Sequence, residues 1–176
     1  NGLDNVITGG TGLDTLIGLG GNDTLIGGTG LANYLIGGDG NDIYVSSAAG
    51  DSIIELANQG TDTVQTSRAS ITLSANVENL VNTANGTFVG IGNALDNVMT
   101  GNTGRDTLVG GAGDDILLGG TGAANELIGG IGSDIYRVSA QGDSIVEFAG
   151  EGEFDTVVVT GSLTSYTLPS NVEILD

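Results

Sequence analysis

A nine-residue unit recurs along this chain and leaves little freedom in how it can fold. Residues 9–17 read Gly-Gly-x-Gly-x-Asp-x-apolar-x; residues 37–45 and 110–118 repeat the pattern, and 101–109 nearly so. Each unit is a run of turn-forming residues followed by a short extended piece. Glycine supplies the tight bends and positive φ that other residues reach only with strain. The Thr-Leu-Ile and Asp-Ile-Leu-Leu pieces have strand propensity but are too short to persist alone. They become stable when stacked on equivalent strands at about 4.8 Å. Successive units must then alternate sides, two of them making one coil of about 18 residues. The predicted fold is all-β: a parallel β-solenoid with a narrow apolar core and little room for aromatics.

The aspartate position recurs at Asp4, Asp14, Asp23, Asn33 and Asp42, then at Asp96, Asp106, Asp115, Asn125 and Asp134. An apolar residue follows two places later: Val6, Leu16, Leu25, Leu35 and Tyr44, then Val98, Leu108, Leu117, Leu127 and Tyr136. Above this sits a tandem duplication at an offset of 92, in which residues 5–9, 11–16 and 50–55 match 97–101, 103–108 and 142–147. Two modules are predicted, 1–88 and 89–176, stacked as one solenoid. Nonapeptides occupy about 1–45 and 91–137, and less regular coils occupy 46–88 and 138–176. Segments 52–55, 62–65 and 77–80, with counterparts 144–147, 155–158 and 172–175, carry strand-like patterns that continue the stack.

Composition narrows the chemistry. The chain has 22 acidic and three basic residues, a formal charge of −19, and no His, Cys, Lys or Trp. That excludes His-dependent triads, Cys nucleophiles, disulfides and ordinary zinc sites. The acidity argues against a nucleic-acid partner, and no apolar run reaches membrane-spanning length. High charge and glycine suggest disorder, yet 39% of residues are hydrophobic, enough to form a core once the carboxylates are neutralised. With Asn1 first and no signal-like segment following, the chain reads as an internal piece of a longer protein.

Stacking puts the aspartates in columns: Asp4, Asp23 and Asp42 on one edge, Asp14 and Asn33 on the other. Like charges one strand spacing apart repel strongly, so a cation is expected between rungs. Glycine-rich turns expose carbonyl oxygens, and the carbonyls of Gly10, Gly12, Gly21, Gly40, Gly104, Gly113 and Gly132 are candidate ligands. An all-oxygen site with irregular geometry selects calcium over magnesium.

These nonapeptides resemble the haemolysin-type calcium-binding repeats of RTX proteins. The resemblance implies a right-handed parallel β-roll in which turns two repeats apart share each ion. Carried over, it pairs Asp4 with Asp23, Asp23 with Asp42, Asp96 with Asp115, and Asp115 with Asp134. The other edge offers Asp14 with Asn33 and Asp106 with Asn125, where asparagine weakens or empties the site. Asp51, Asp62, Asp143 and Asp155 stand open between ligands and solvated turns. Glu55, Glu78, Glu147 and Glu173 read first as a solvated face, and Asp39, Asp114, Glu151 and Glu153 as exposed charge.

The resemblance also implies a bacterial protein secreted through a one-step exporter, which folds when it meets extracellular calcium. The expected function is a non-catalytic, calcium-dependent folding module of a larger protein that binds several ions. Its partners are calcium and flanking repeats, with self-association or surface attachment as further expectations. The rival readings are an adhesive spacer and an accessory domain of a polysaccharide-active enzyme. For catalysis within the chain, only tyrosines and arginines offer themselves. Tyr44 and Tyr136 fall at apolar repeat positions, where packing is the better reading.

Overall fold

The computed structural model describes every residue except 153, 162 and 164, so the expectation for Glu153 lies outside the described residues. Strands and turns alternate throughout, with no helix among the described residues. One face is a ten-stranded parallel sheet that runs the whole length. It stacks β1 (Val6–Thr8), β3 (Thr24–Ile26), β5 (Ile43–Ser46), β7 (Thr63–Thr66) and β9 (Asn79–Asn82). It continues with β11 (Val98–Thr100), β13 (Ile116–Leu118), β15 (Ile135–Val138), β17 (Thr156–Val159) and β18 (Ile174–Leu175). The opposite face is two parallel sheets. The first joins β2 (Thr15–Gly20), β4 (Tyr34–Asp39) and β6 (Ser52–Ile54); the second joins β8 (Ser70–Thr72), β10 (Phe88–Ile91), β12 (Asp106–Ala112), β14 (Glu126–Ile131) and β16 (Ser144–Val146). This is the parallel β-solenoid anticipated from the repeat, and at about 4.8 Å per coil it makes a rod of about 43 Å.

The core follows from period-two alternation within each short strand. Leu25, Tyr44, Val64, Leu80, Met99, Leu117, Tyr136 and Val157 face inward from the long sheet, against Leu16, Leu35, Ile53, Ile71, Leu108, Leu127 and Ile145. Two expectations need correcting. Val6 and Val98 are exposed, and their neighbours Ile7 and Met99 pair with Leu25 and Leu117 as the inward residues. The apolar spacing in those two units is thus displaced by one residue. The core also admits aromatics, since Tyr44, Phe88 and Tyr136 are fully buried. Phe88 fits because Gly90 lies beside it; a Cβ there would stand 2.8 Å from Leu80 and 3.0 Å from the Phe88 ring.

Leu19 stands where the second glycine of a unit belongs and has φ +86°, beside Gly38 at +99° in the next coil. Its side chain is 63% exposed and gains little from packing. A left-handed conformation costs a non-glycine residue about 1–2 kcal/mol. Leu19→Gly is therefore expected to stabilise the folded protein by about 1 kcal/mol in urea unfolding. A lower midpoint would contradict this account.

Candidate metal centres

The residue preceding each strand of the long sheet ends a turn, and strand register stacks these residues in one column. In the first half the column is Asn5, Asp23, Asp42, Asp62 and Glu78; in the second it is Asn97, Asp115, Asp134, Asp155 and Glu173. A hydrogen-bond ladder locks the column. The Asn5 amide donates to Asp23 Oδ1, that of Asp23 to Asp42 Oδ1, that of Asp42 to Asp62 Oδ1, and that of Asp62 to Glu78, at 2.6–2.7 Å. The second half repeats it from Asn97 through Asp115, Asp134 and Asp155 to Glu173, at 2.7–2.9 Å.

The ladder uses one oxygen of each aspartate. The other, Oδ2 of Asp23, Asp42, Asp115 and Asp134, is buried with no hydrogen-bond partner. Such a group costs several kcal/mol unless a counter-charge meets it. The glycine that opens each turn makes the space: a Cβ on Gly18 would collide with Asp23 Oδ2 and stand 2.7 Å from the Gly37 carbonyl oxygen. Gly110 sits likewise against Asp115 Oδ2 and the Gly129 carbonyl. Carboxylate and carbonyl oxygens thus converge on a pocket that only glycine leaves open. The donor set is all oxygen, and it fits a hard cation. The chain's own cations do not serve: Arg105 and Arg137 are exposed, and Arg68 donates to the Ala49 carbonyl.

Burial and mutual repulsion show in the acidities. Desolvation pushes Asp115 up to about 7, with repulsion from Asp134 adding to it and the Asn97 amide opposing it. Burial likewise carries Asp62 and Asp134 to about 6, Glu55 to about 7 and Glu147 to about 8, and it raises Asp42 and Asp155. The Gly38 and Leu56 amides ease the Glu55 shift, yet neither Glu55 oxygen closes a hydrogen bond.

The opposite edge differs. Asp14, Asn33 and Asp51 stack there, as do Asp106, Asn125 and Asp143, with the same amide-to-side-chain ladder at 2.9–3.0 Å. The Asn33 amide group donates to the Gly27 carbonyl and to Asp51, taking the two contacts a cation would make; Asn125 donates to Asp143 in the same way. The Asp51 and Asp143 carboxylates each also accept from two groups of the loop that precedes them. They brace turns and keep no free oxygen for an ion. Asp14 accepts from the Gly10 amide and Asp106 from Asn102, which leaves Asp106 Oδ1 without a partner. Between the two halves Phe88 takes the carboxylate position, stacked under Asp106, and interrupts this edge.

Asp4 and Asp96 lie one residue outside the long column. They are exposed and accept from the Asn22 and Asp114 amides in an outer ladder; Asn5 and Asn97 occupy the register positions. Gly21, Gly40, Gly113 and Gly132 have positive φ and stack in close backbone contact, while Gly12 faces open space and Gly104 lies against Gly86. The glycines beside the unpartnered carboxylates are instead Gly18, Gly37, Gly110 and Gly129. Asp39 and Asp114 are exposed, as expected, and Glu151 is half-buried. Glu55 and Glu147 are not a solvated face but 6% exposed. Their signal was the alignment of Ile53-Ile54-Glu55 with Leu35-Ile36-Gly37, which sets Glu55 directly over a pocket glycine.

Two measurements follow. Because these folded-state acidities lie above the ordinary value near 4, the metal-free solenoid binds protons more tightly than the unfolded chain. Its stability is then fullest below about pH 4 and is lost as pH rises through 6 to 8. Calcium needs the deprotonated ligands, so its affinity rises over that same window. Circular dichroism with EDTA should show more β-structure at pH 4 than at 7.5, and the reverse order would refute the assignment. Replacing Asn33 by Asp removes the internal cation mimic; it should add about one calcium by calorimetry and lower stability in EDTA.

The sequence matches the family model of the RTX calcium-binding nonapeptide repeat over residues 1–30, 32–53 and 91–124. No curated protein matches the chain. With the parallel solenoid and its oxygen-lined turns, the match identifies RTX calcium-binding nonapeptide repeats in this chain, stacked as a parallel β-solenoid.

Proposed function

We propose that this chain is a non-catalytic module that folds on binding several calcium ions, within a larger secreted bacterial protein. The observation that carries this reading is the set of buried, partnerless Oδ2 atoms at Asp23, Asp42, Asp115 and Asp134. At −19 the metal-free chain repels itself, and each bound ion removes two charges while joining adjacent coils. Binding energy is then folding energy. The low calcium of a bacterial cytosol keeps the chain expanded for export, and extracellular calcium folds it; the family's usual secretion supports this setting. The two modules, 1–88 and 89–176, are the proposed organisation of one solenoid, a reading supported by β10, which straddles the boundary. The unbroken ten-stranded face also favours a second role as a spacer in a surface protein.

Circular dichroism and small-angle scattering in EDTA and then in millimolar calcium at pH 7.5 test this. The expected result is an expanded, weakly structured chain that becomes a compact β-rod. A full β spectrum in EDTA, unchanged by calcium, would sink the reading.

A further inference from the structure

Each run of nonapeptides ends on a coil where the turn-opening glycine gives way to glutamate. In register, Gly18, Gly37 and Glu55 form one column, and Gly110, Gly129 and Glu147 the other. Glu55 follows Ile53 by two residues, so alternation turns it inward, across the coil toward the turns of Asp42 and Asp62. Carboxylate oxygens of Asp42, Glu55 and Asp62 all lie within 4.8 Å of one another, and so do those of Asp134, Glu147 and Asp155. All six residues are buried, and neither oxygen of Glu55 or Glu147 has a hydrogen-bond partner.

A second observation points to a ligand. Tyr44 and Tyr136 are completely buried, yet their hydroxyls bond to nothing. A Cβ on Gly37 would collide with both the Tyr44 hydroxyl and Asp42 Oδ2; on Gly129 it would meet the Tyr136 hydroxyl, Asp134 Oδ2 and Glu147 Oε1. Hydroxyl and carboxylates therefore face one shared space without bonding to each other.

We propose that Asp42, Glu55 and Asp62 with the Tyr44 hydroxyl form a divalent-cation site of a second type, and that Asp134, Glu147 and Asp155 with Tyr136 form its twin. The proposal rests on the calcium-binding reading of the chain and adds a different donor set, three side-chain carboxylates and a neutral phenol. Glu55 and Asp62 lie outside the matched repeat segments, and so does the whole second triad. The ligands come from both faces of the solenoid, so the ion pins the two sheets together where regular coils meet irregular ones. Three charged ligands favour calcium, and trivalent lanthanides still more.

The chain has no tryptophan, so terbium emission excited near 280 nm reports ions close to tyrosine. In the full chain, terbium is expected to give strong emission that calcium displaces. E55Q with E147Q should remove most of that emission and lower calcium stoichiometry by two in calorimetry; E55Q alone should lower it by one. Y44F with Y136F leaves only Tyr34 and Tyr166, and it should remove most of the emission, keep the stoichiometry and weaken two sites several-fold. If the wild type binds calcium and folds while E55Q/E147Q matches it in stoichiometry and emission, this site is refuted and the calcium-binding reading stands. A wild type that binds no calcium overturns both. If E55Q/E147Q fails to fold, Y44F/Y136F decides: undiminished emission or unchanged affinity rejects the site.

Discussion

The structure depends on carboxylates stacked one strand spacing apart and withdrawn from water. Two such charges about 5 Å apart repel by roughly 3 kcal/mol at an effective dielectric near 20, and the long sheet carries several in sequence. Hydrogen bonding answers half of the problem. Each Oδ1 of Asp23, Asp42, Asp115 and Asp134 takes an amide from the coil before it, which fixes the side chain and aims Oδ2 into a closed space. The other half must come from outside the chain, because its few arginines face elsewhere. On the opposite edge Asn33 supplies an internal answer: its amide group donates to Gly27 and Asp51. One scaffold thus holds a cation-dependent edge beside a largely self-satisfied one.

Glycine is the other half of the same design. At Gly18 and Gly110 the missing side chain is the room in which carboxylate and carbonyl oxygens meet. At Gly90 the room goes to an aromatic ring instead. Where glycine gives way to glutamate, at Glu55 and Glu147, the pocket gains a charge from the far wall. Small changes in one column therefore decide what each coil holds.

Much of this was legible in the sequence, for a physical reason. Turn glycines, an aspartate and an inward apolar residue recur in phase, and only a stacked coil satisfies all three at once. Asp23, Asp42, Asp115 and Asp134 could be placed from spacing alone. The misreading at Asp4 and Asp96 came from adjacent Asp-Asn pairs, where either residue completes the pattern and only strand register separates them. Glu55 and Glu147 escaped because they lie outside the nonapeptide, and their role follows from the residue stacked beneath them. Phe88 in the core was hidden for a similar reason: the space it needs is made by Gly90, two residues on in the same strand.

The amide-to-carboxylate ladder runs one way. Within each half, every coil after the first offers a carboxylate to the neighbour before it, and every coil but the last an amide to the neighbour after it. A copied block of whole coils brings its own ladder with it and seats on its parent through strand pairing, as β11 does on β9. The matching of residues 50–55 by 142–147 is what such copying leaves behind. A rod of this kind lengthens by gene duplication more easily than it acquires a new shape.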